Sequence, residues 1–323
     1  MKKVLIILFA TLLSFLFVFP LVSCEKNEEQ PFRYERVVII GVDGMGAFNS
    51  ETPTPRMDGI FAGGATTYTM QSTTPSVSGP SWGSMFYGVD PEAHGWTNEN
   101  MTASAVFSYS SFLAGYSDVD SPKNPNKREP EGIYSLFKFV SDAYPGAALA
   151  AICNWMPIWA YVEHGVKAYL KTGINLTDEL DDSVIKDEVL NYFDAGNDPK
   201  FLYVHFDNVD YKGHHMGSAT ADYLDQITAE DGYIGEIYDK LCSLGLLGTT
   251  LFIVTPDHGH KPEGGHGGAT PAEMNCFVGI AGKTVKAGTI GPMDMKDMPF
   301  IVARALNIGP ASFWSGKLPD NIF

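Results

Sequence analysis

Four short apolar runs recur along the chain, and each stops at a polar cluster. Residues 36–42 (RVVIIGV) lead into Asp43-Gly44, and residues 148–153 lead into Asn154-Trp155. Residues 201–206 (FLYVHF) lead into DNVDYKGHHMG, and residues 251–254 (LFIV) into Thr255-Pro256-Asp257-His258. Each run is too short for a helix, and its β-branched and aromatic content suits a strand covered on both faces. Between the runs the period changes. Val184, Ile185, Val189, Leu190 and Phe193 fall largely on one helical face of residues 182–193, and Ile227, Ile234, Ile237 and Leu241 do so within residues 223–241. This alternation predicts an α/β fold of three layers, α/β/α, with a mainly parallel central sheet and helices on both faces. In such sheets functional groups gather beyond the carboxyl ends of the strands, so the clusters at Asp43, Asp210 and Asp257 are expected along one edge. Residues 98–130, rich in Ser, Gly, Pro and charge, show no clear period and read as a surface excursion near that edge.

The amino-terminal segment belongs to none of this. Met1-Lys2-Lys3 is a positive n-region and residues 4–22 are almost wholly apolar, the pattern of a secretory signal. Leu21-Val22-Ser23-Cys24 closes it and resembles the lipobox of bacterial lipoproteins. Small Ser23 and the polar EKNEEQ that follows favour cleavage over an uncleaved membrane anchor. The resemblance implies a signal peptide over residues 1–23, lipidation at Cys24 with a polar tether over 24–34, and a protein of the bacterial cell envelope, held to a membrane and facing periplasm or exterior.

Residues 35–323 are expected to form a single domain, because no linker divides them. Hydrophobic residues make up 45% of the chain and the net charge is -16, which argues for a soluble globule and against a nucleic-acid polymer as partner. An anionic substrate then needs local positive charge. Outside the lipobox, Cys153, Cys242 and Cys276 are odd in number and lack a CxxC pair, so they are expected to be core residues and not a disulfide framework. No residue pattern sets an oligomeric state.

The candidate chemistry lies at the strand ends. Asp257, His258 and, in glycine-rich sequence, His266 offer the carboxylate oxygen and imidazole nitrogen that zinc prefers. Asp210 and His214 stand four apart, so they can converge on one ion. Taken singly, an Asp-Gly turn or a histidine-bearing loop is ordinary. In residues 74–88 (TPSVSGPSWGSMFYG), Pro80 fits the first turn of a helix and puts Ser78 at its amino end, where backbone N–H groups and the dipole favour an anion. A serine there is an ordinary cap unless a base or a metal activates it.

Together these residues resemble the alkaline phosphatase superfamily, closest to its type I phosphodiesterase/nucleotide pyrophosphatase branch. The resemblance runs from Val37 to the carboxyl terminus through GVDG at Asp43, PSVSGPSW, GVDPEAHG, Asp210-Tyr-Lys-Gly-His214, PDHG at Asp257-His258, and GGHGG at His266. It implies two Zn2+ ions per chain, one held by Asp210, His214 and His266, the other by Asp43, Asp257, His258 and the nucleophile Ser78. It also implies a phospho-serine intermediate. Phosphodiesterase relatives usually carry a threonine nucleophile and, three residues later, an asparagine that holds phosphate; here those places are Ser78 and Ser81. The sulfatase pattern C/S-x-P-x-R is not met, since Trp82 stands where the arginine belongs.

The implied substrate is a small anionic phosphoester. A phosphodiester or a nucleotide pyrophosphate-type molecule is preferred because Arg33, Arg36, Arg56, Arg128 and Arg304 all lie outside the motifs, although Lys212 or Lys261 could supply charge. Ser81, Trp155, Tyr211 and Lys212 are the candidate substrate contacts. His205, His215 and His260 are assigned supporting places without direct ligation. The alternatives are a phosphomonoesterase, a sulfatase-like hydrolase, and, in another class, a catalytically silent ligand-binding lipoprotein.

Overall fold

The computed structural model describes residues 32–104, 131–172 and 181–323. The lipobox cysteine, the proposed signal, most of the tether and Arg128 lie outside them. The strands are β1 (Arg36–Val42), β2 (Ala65–Gln71), β3 (Leu149–Cys153), β4 (Tyr169–Thr172), β5 (Phe201–Phe206), β6 (Thr250–Thr255), β7 (Asn275–Ala281) and β8 (Gly288–Thr289). The helices are α1 (Pro55–Phe61), α2 (Ser78–Tyr87), α3 (Pro91–His94), α4 (described over 98–104), α5 (Leu136–Ala143), α6 (Asp182–Asp194), α7 (Asn208–Met216), α8 (Ala221–Ser243), α9 (Pro271–Met274) and α10 (Met298–Leu306).

The strands form one sheet in the order β4-β3-β5-β1-β6-β7-β2-β8. From β4 to β6 every pairing is parallel, and β7 joins β6 and β2 antiparallel. The four apolar runs are β1, β3, β5 and β6, the buried interior of this parallel block. Their side chains alternate between two cores. Val37 and Ile39 pack with α2, α5 and α10, while Val38, Ile40 and Val42 pack with α1, α6 and α8. That is the expected three-layer arrangement, and the antiparallel β7-β2 edge extends it.

Register brings the chemistry together. Gly41 pairs with both His205 and Thr255, and Cys153 also pairs with His205. The residues just beyond, Asp43, Asn154, Asp207 and Asp257, therefore emerge side by side at one sheet edge.

Three expectations need correction. Cys242 is exposed on α8, whereas Cys153 and Cys276 are buried, and all three are free thiols. Val184 is 41% exposed although it fits the apolar stripe of α6, and Asp182 is fully buried at that helix's start. The first part of the 98–130 excursion is helical, as α4. An irregular composition concealed that single short helix.

Candidate active site

The centre is built on Asp43, which follows β1 and is buried. Its Oδ2 accepts from Trp82 Nε1 at 2.9 Å and lies 3.0 Å from His205 Nε2. Its Oδ1 faces the cleft, accepts from the Ser78 hydroxyl at 3.3 Å and lies 3.5 Å from His258 Nε2. Ser78 Oγ is in turn 3.2 Å from His258 Nε2. His258 donates Nδ1–H to the Gly259 carbonyl at 3.2 Å, which leaves the Nε2 lone pair pointing at Ser78 and the carboxylates. Asp257 completes the group: Oδ1 accepts from Gly44 N–H, while Oδ2 is buried without a donor and 3.3 Å from His258 Nε2.

A second group lies beside the first. Asp210 and His214, one turn apart on α7, come within 3.4 Å, and His214 Nε2 is 3.0 Å from His266 Nε2. His266 donates Nδ1–H to the Ser76 carbonyl at 2.7 Å, so its Nε2 carries the lone pair and faces His214. The loop carrying Ser76 and Ser78 is also tied to the histidine loop through Ser76 Oγ, which donates to Gly268 O and accepts from Gly267 N–H. Asp43, Ser78, Asp257 and His258 thus lie together, with Asp210, His214 and His266 beside them.

His260 adds to the second group. It is buried, its Nε2 is 2.8 Å from Asp210 Oδ1, and its Nδ1 has no partner. Burial pushes its pKa down to about 4, so the neutral ring donates through Nε2. Gly44 (φ +68°) leaves room for it, since a Cβ there would come 2.8 Å from His260 Nε2 and from the Asp210 backbone. Each group therefore has a carboxylate with one oxygen held by a buried histidine, Asp43 by His205 and Asp210 by His260.

The donor set can be tested for metal. Ligand atoms of Asp43, Asp257 and His258 lie within 4.8 Å of one another, as do those of Asp210, His258, His260 and His266. Burial pushes the Asp257 and Asp210 carboxyls well above their usual range, and the Asp43 charge adds to both shifts. Burial also opposes ionisation of Asp43, but the His205 hydrogen bond, the His258 charge and Trp82 outweigh it and hold the group below the carboxylate range. Among the described residues no lysine or arginine pairs with any of these three acids. Converging carboxylates without a cation, the donorless Asp257 Oδ2 and two histidines locked with lone pairs inward fit divalent metal ions.

Helix α2 begins at Ser78, as the position of Pro80 predicts. Its start has few free donors: Pro80 has none, Ser81 N–H is bonded to Val77 O, and Gly79 N–H goes to Asn98 Oδ1 at 2.7 Å. Asn98 is a site residue the sequence reading left inside the excursion. Its only signal was an amide at the head of a short helix. Ser81, taken as a phosphate contact, is instead fully buried, with its hydroxyl 3.1 Å from Ser72 Oγ and 2.8 Å from Thr73 Oγ1. Trp155 is half-buried beside His205, ring centroids 6.3 Å apart. Tyr211 stacks on His215 at 4.0 Å, and Lys212 Nζ lies 5.8 Å from the Tyr211 ring.

The family described as type I phosphodiesterase / nucleotide pyrophosphatase matches residues 37–297. The chain belongs to that family. Its fold is shared with murine ectonucleotide pyrophosphatase / phosphodiesterase 5, with TM-score 0.66, 14% identity, and coverage of 89% of this chain and 100% of that one. An inactive variant of the murine protein in complex with AMP gives TM-score 0.66 at 14% identity, over 90% of this chain and 100% of that one. A 2-O GAG sulfatase gives TM-score 0.62 at 14% identity, over 88% of this chain and 73% of that one. Among curated proteins, GPI ethanolamine phosphate transferase 3 of Eremothecium gossypii is 31% identical over 104 residues, which is 31% of this chain and 10% of that protein's length. Membership of the type I phosphodiesterase / nucleotide pyrophosphatase family thus coincides with Asp and His groups that could hold a metal ion.

Proposed function

We propose that this protein is a two-zinc phosphodiesterase acting through a phospho-serine intermediate, on phosphodiesters or nucleotide pyrophosphate-type substrates. The observation that carries the reading is Ser78 Oγ at a helix start, 3.3 Å from Asp43 Oδ1 and 3.2 Å from His258 Nε2, beside a second Asp-His group. Nitrogen-rich ligands support zinc over calcium, which prefers oxygen. Two such ions, when bound, lower the pKa of the attacking hydroxyl and neutralise phosphoryl charge. Ser78 Oγ, its hydroxyl proton directed at Asp43, bonds to phosphorus as the bond to the leaving oxygen breaks. Ser78 N–H and Asn98 Nδ2, which has no hydrogen bond among the described residues, are available to the non-bridging oxygens. Water then cleaves the phospho-serine and restores the hydroxyl.

Charge supports a diester. The described arginines are engaged elsewhere: Arg36 with Asp198, Arg56 with Asp239, Arg33 with Glu35, and Arg304 over Phe323. Among the described residues no guanidinium is left to meet a monoester dianion, which carries one more charged oxygen. On one zinc-loaded preparation, kcat/KM should be about tenfold higher for bis(4-nitrophenyl) phosphate or a nucleoside-phosphate diester than for 4-nitrophenyl phosphate, a difference of about 1.4 kcal/mol in transition-state binding. A monoester advantage that disappears in Lys212→Ala or Lys261→Ala would make the protein a phosphatase.

The amino-terminal reading joins this proposal: residues 1–23 are removed, Cys24 carries the acyl chains, and residues 35–323 act as one domain at a bacterial envelope membrane. Labelled palmitate should enter the wild-type protein and not Cys24→Ala, whose precursor should stay unprocessed. A wild-type protein without label would overturn the anchor.

A further inference from the structure

The mechanism above makes no use of a fully buried pair of acids, Asp182 and Glu230. Asp182 opens α6, but its side chain serves a different helix. Its Oδ2 accepts from Asn208 N–H at 2.7 Å and Asp207 N–H at 2.9 Å, and its Oδ1 accepts from Asn154 Nδ2 at 2.7 Å. Asn208 Oδ1 returns the contact by accepting from Asp182 N–H at 2.8 Å. The starts of α6 and α7 therefore cap each other. Helix α7 has no capping side chain of its own, so this carboxylate meets donors that would otherwise be buried and unpaired.

Glu230, on α8, completes the arrangement. Gln226 Nε2 donates to its Oε1 at 2.8 Å, while its Oε2 has no donor. Glu230 and Asp182 are neighbouring buried acids whose carboxyls perturb each other, so the two favour holding a proton between them over ionising together. Burial, then the charge of Asp182, push Glu230 well above its usual range, which favours its neutral form. Asp182 is raised to about 6, chiefly by burial and against the bonds from Glu230, Asn208 and Asn154.

Asp210 lies two residues beyond Asn208, and His214 one turn further along the same helix. A shift at the start of α7 moves both. We propose that the Asp182–Glu230 pair is a positioning device for the second metal group, pinning the start of α7 so that Asp210 and His214 stand where one ion can join them to His266. This rests on the two-metal reading. Residues that orient metal ligands from behind typically change metal affinity by about 10–100-fold when lost.

The test titrates cobalt(II) into metal-free full-length protein, following its absorption spectrum, with amide hydrogen exchange of residues 207–216 measured before metal is added. Glu230→Gln keeps a donor to Asp182 and an acceptor for Gln226, so it should match wild type in both readouts. Glu230→Leu and Asp182→Asn should weaken one of two cobalt sites by about 10–100-fold, leave the other unchanged, and speed exchange at the start of α7. His266→Ala identifies the affected site, because it should remove the same spectral component. Should either variant fail to fold, the other still decides. Equal weakening of both sites, unchanged affinity with only a lower Tm, or a Glu230→Gln as impaired as Glu230→Leu would overturn the positioning role. A wild-type protein binding fewer than two ions would instead overturn the two-metal reading on which it depends.

Discussion

Ser78→Ala should lower kcat by at least about 10^4-fold on every phosphoester tested, while the variant stays folded and binds metal normally; loss of an enzyme nucleophile has effects of this order. The hydroxyl has two partners, Asp43 Oδ1 and His258 Nε2, and both keep other contacts when it is removed. Nothing else at the start of α2 can replace it. Ser81 is three residues on, and its hydroxyl is engaged with Ser72 and Thr73 and not with the Asp or His side chains. Ser81→Ala should therefore cost about 1–3 kcal/mol of stability, from buried partners left unpaired, with turnover largely kept. The two variants are compared by single-turnover release of 4-nitrophenol and by metal analysis. An active Ser78→Ala beside an inactive Ser81→Ala would falsify the assignment of the nucleophile.

How much of this site the sequence discloses depends on whether an element's role is local. Runs such as residues 36–42 and 251–254 are legible because burial on both faces demands continuous apolar sequence. The strand-end position of Asp43 and Asp257 follows directly. The start of α2 is legible because Pro80 fixes the first turn. Asn98 is not, because its role comes from a hydrogen bond to Gly79, 19 residues away, made by a helix in irregular sequence. Asp182 is hidden for the opposite reason. Its helix is plain from periodicity, but a polar residue at a helix start reads as a solvated cap, and only the pairing of α6 with α7 shows it to be buried. The antiparallel edge formed by β7 and β2 also left no clear signal, since β2 (ATTYTMQ) is half-polar and carries a register shift between Thr67 and Met70. His205 and His260 lie against Asp43 and Asp210, contacts that residue type alone does not specify.

Exhaustive chelation should abolish turnover by about 10^3-fold or more, since stabilisation of the transition state by metal is worth several kcal/mol, and zinc should restore it. His258→Ala should resist that rescue. Its Nε2 faces Asp43, Ser78 and Asp257 at once, so losing it removes a buried nitrogen donor that no neighbour replaces. The same electrostatics predicts a pH dependence. In the metal-free protein burial raises the Asp257 and Asp210 carboxyls well above their usual range. A group raised on folding contributes stability that is complete below its unfolded pKa and is lost as pH rises through the folded value. The metal-free fold should therefore weaken from the ordinary carboxyl range upward, as these acids are forced to ionise together. Bound cations relieve that repulsion, so the gain in Tm on adding zinc should be larger at pH 8 than at pH 5. Thermal unfolding with and without chelator at the two pH values measures it. A gain that is equal at both, together with full activity in protein verified free of metal, would mean that these acids hold no ion during turnover.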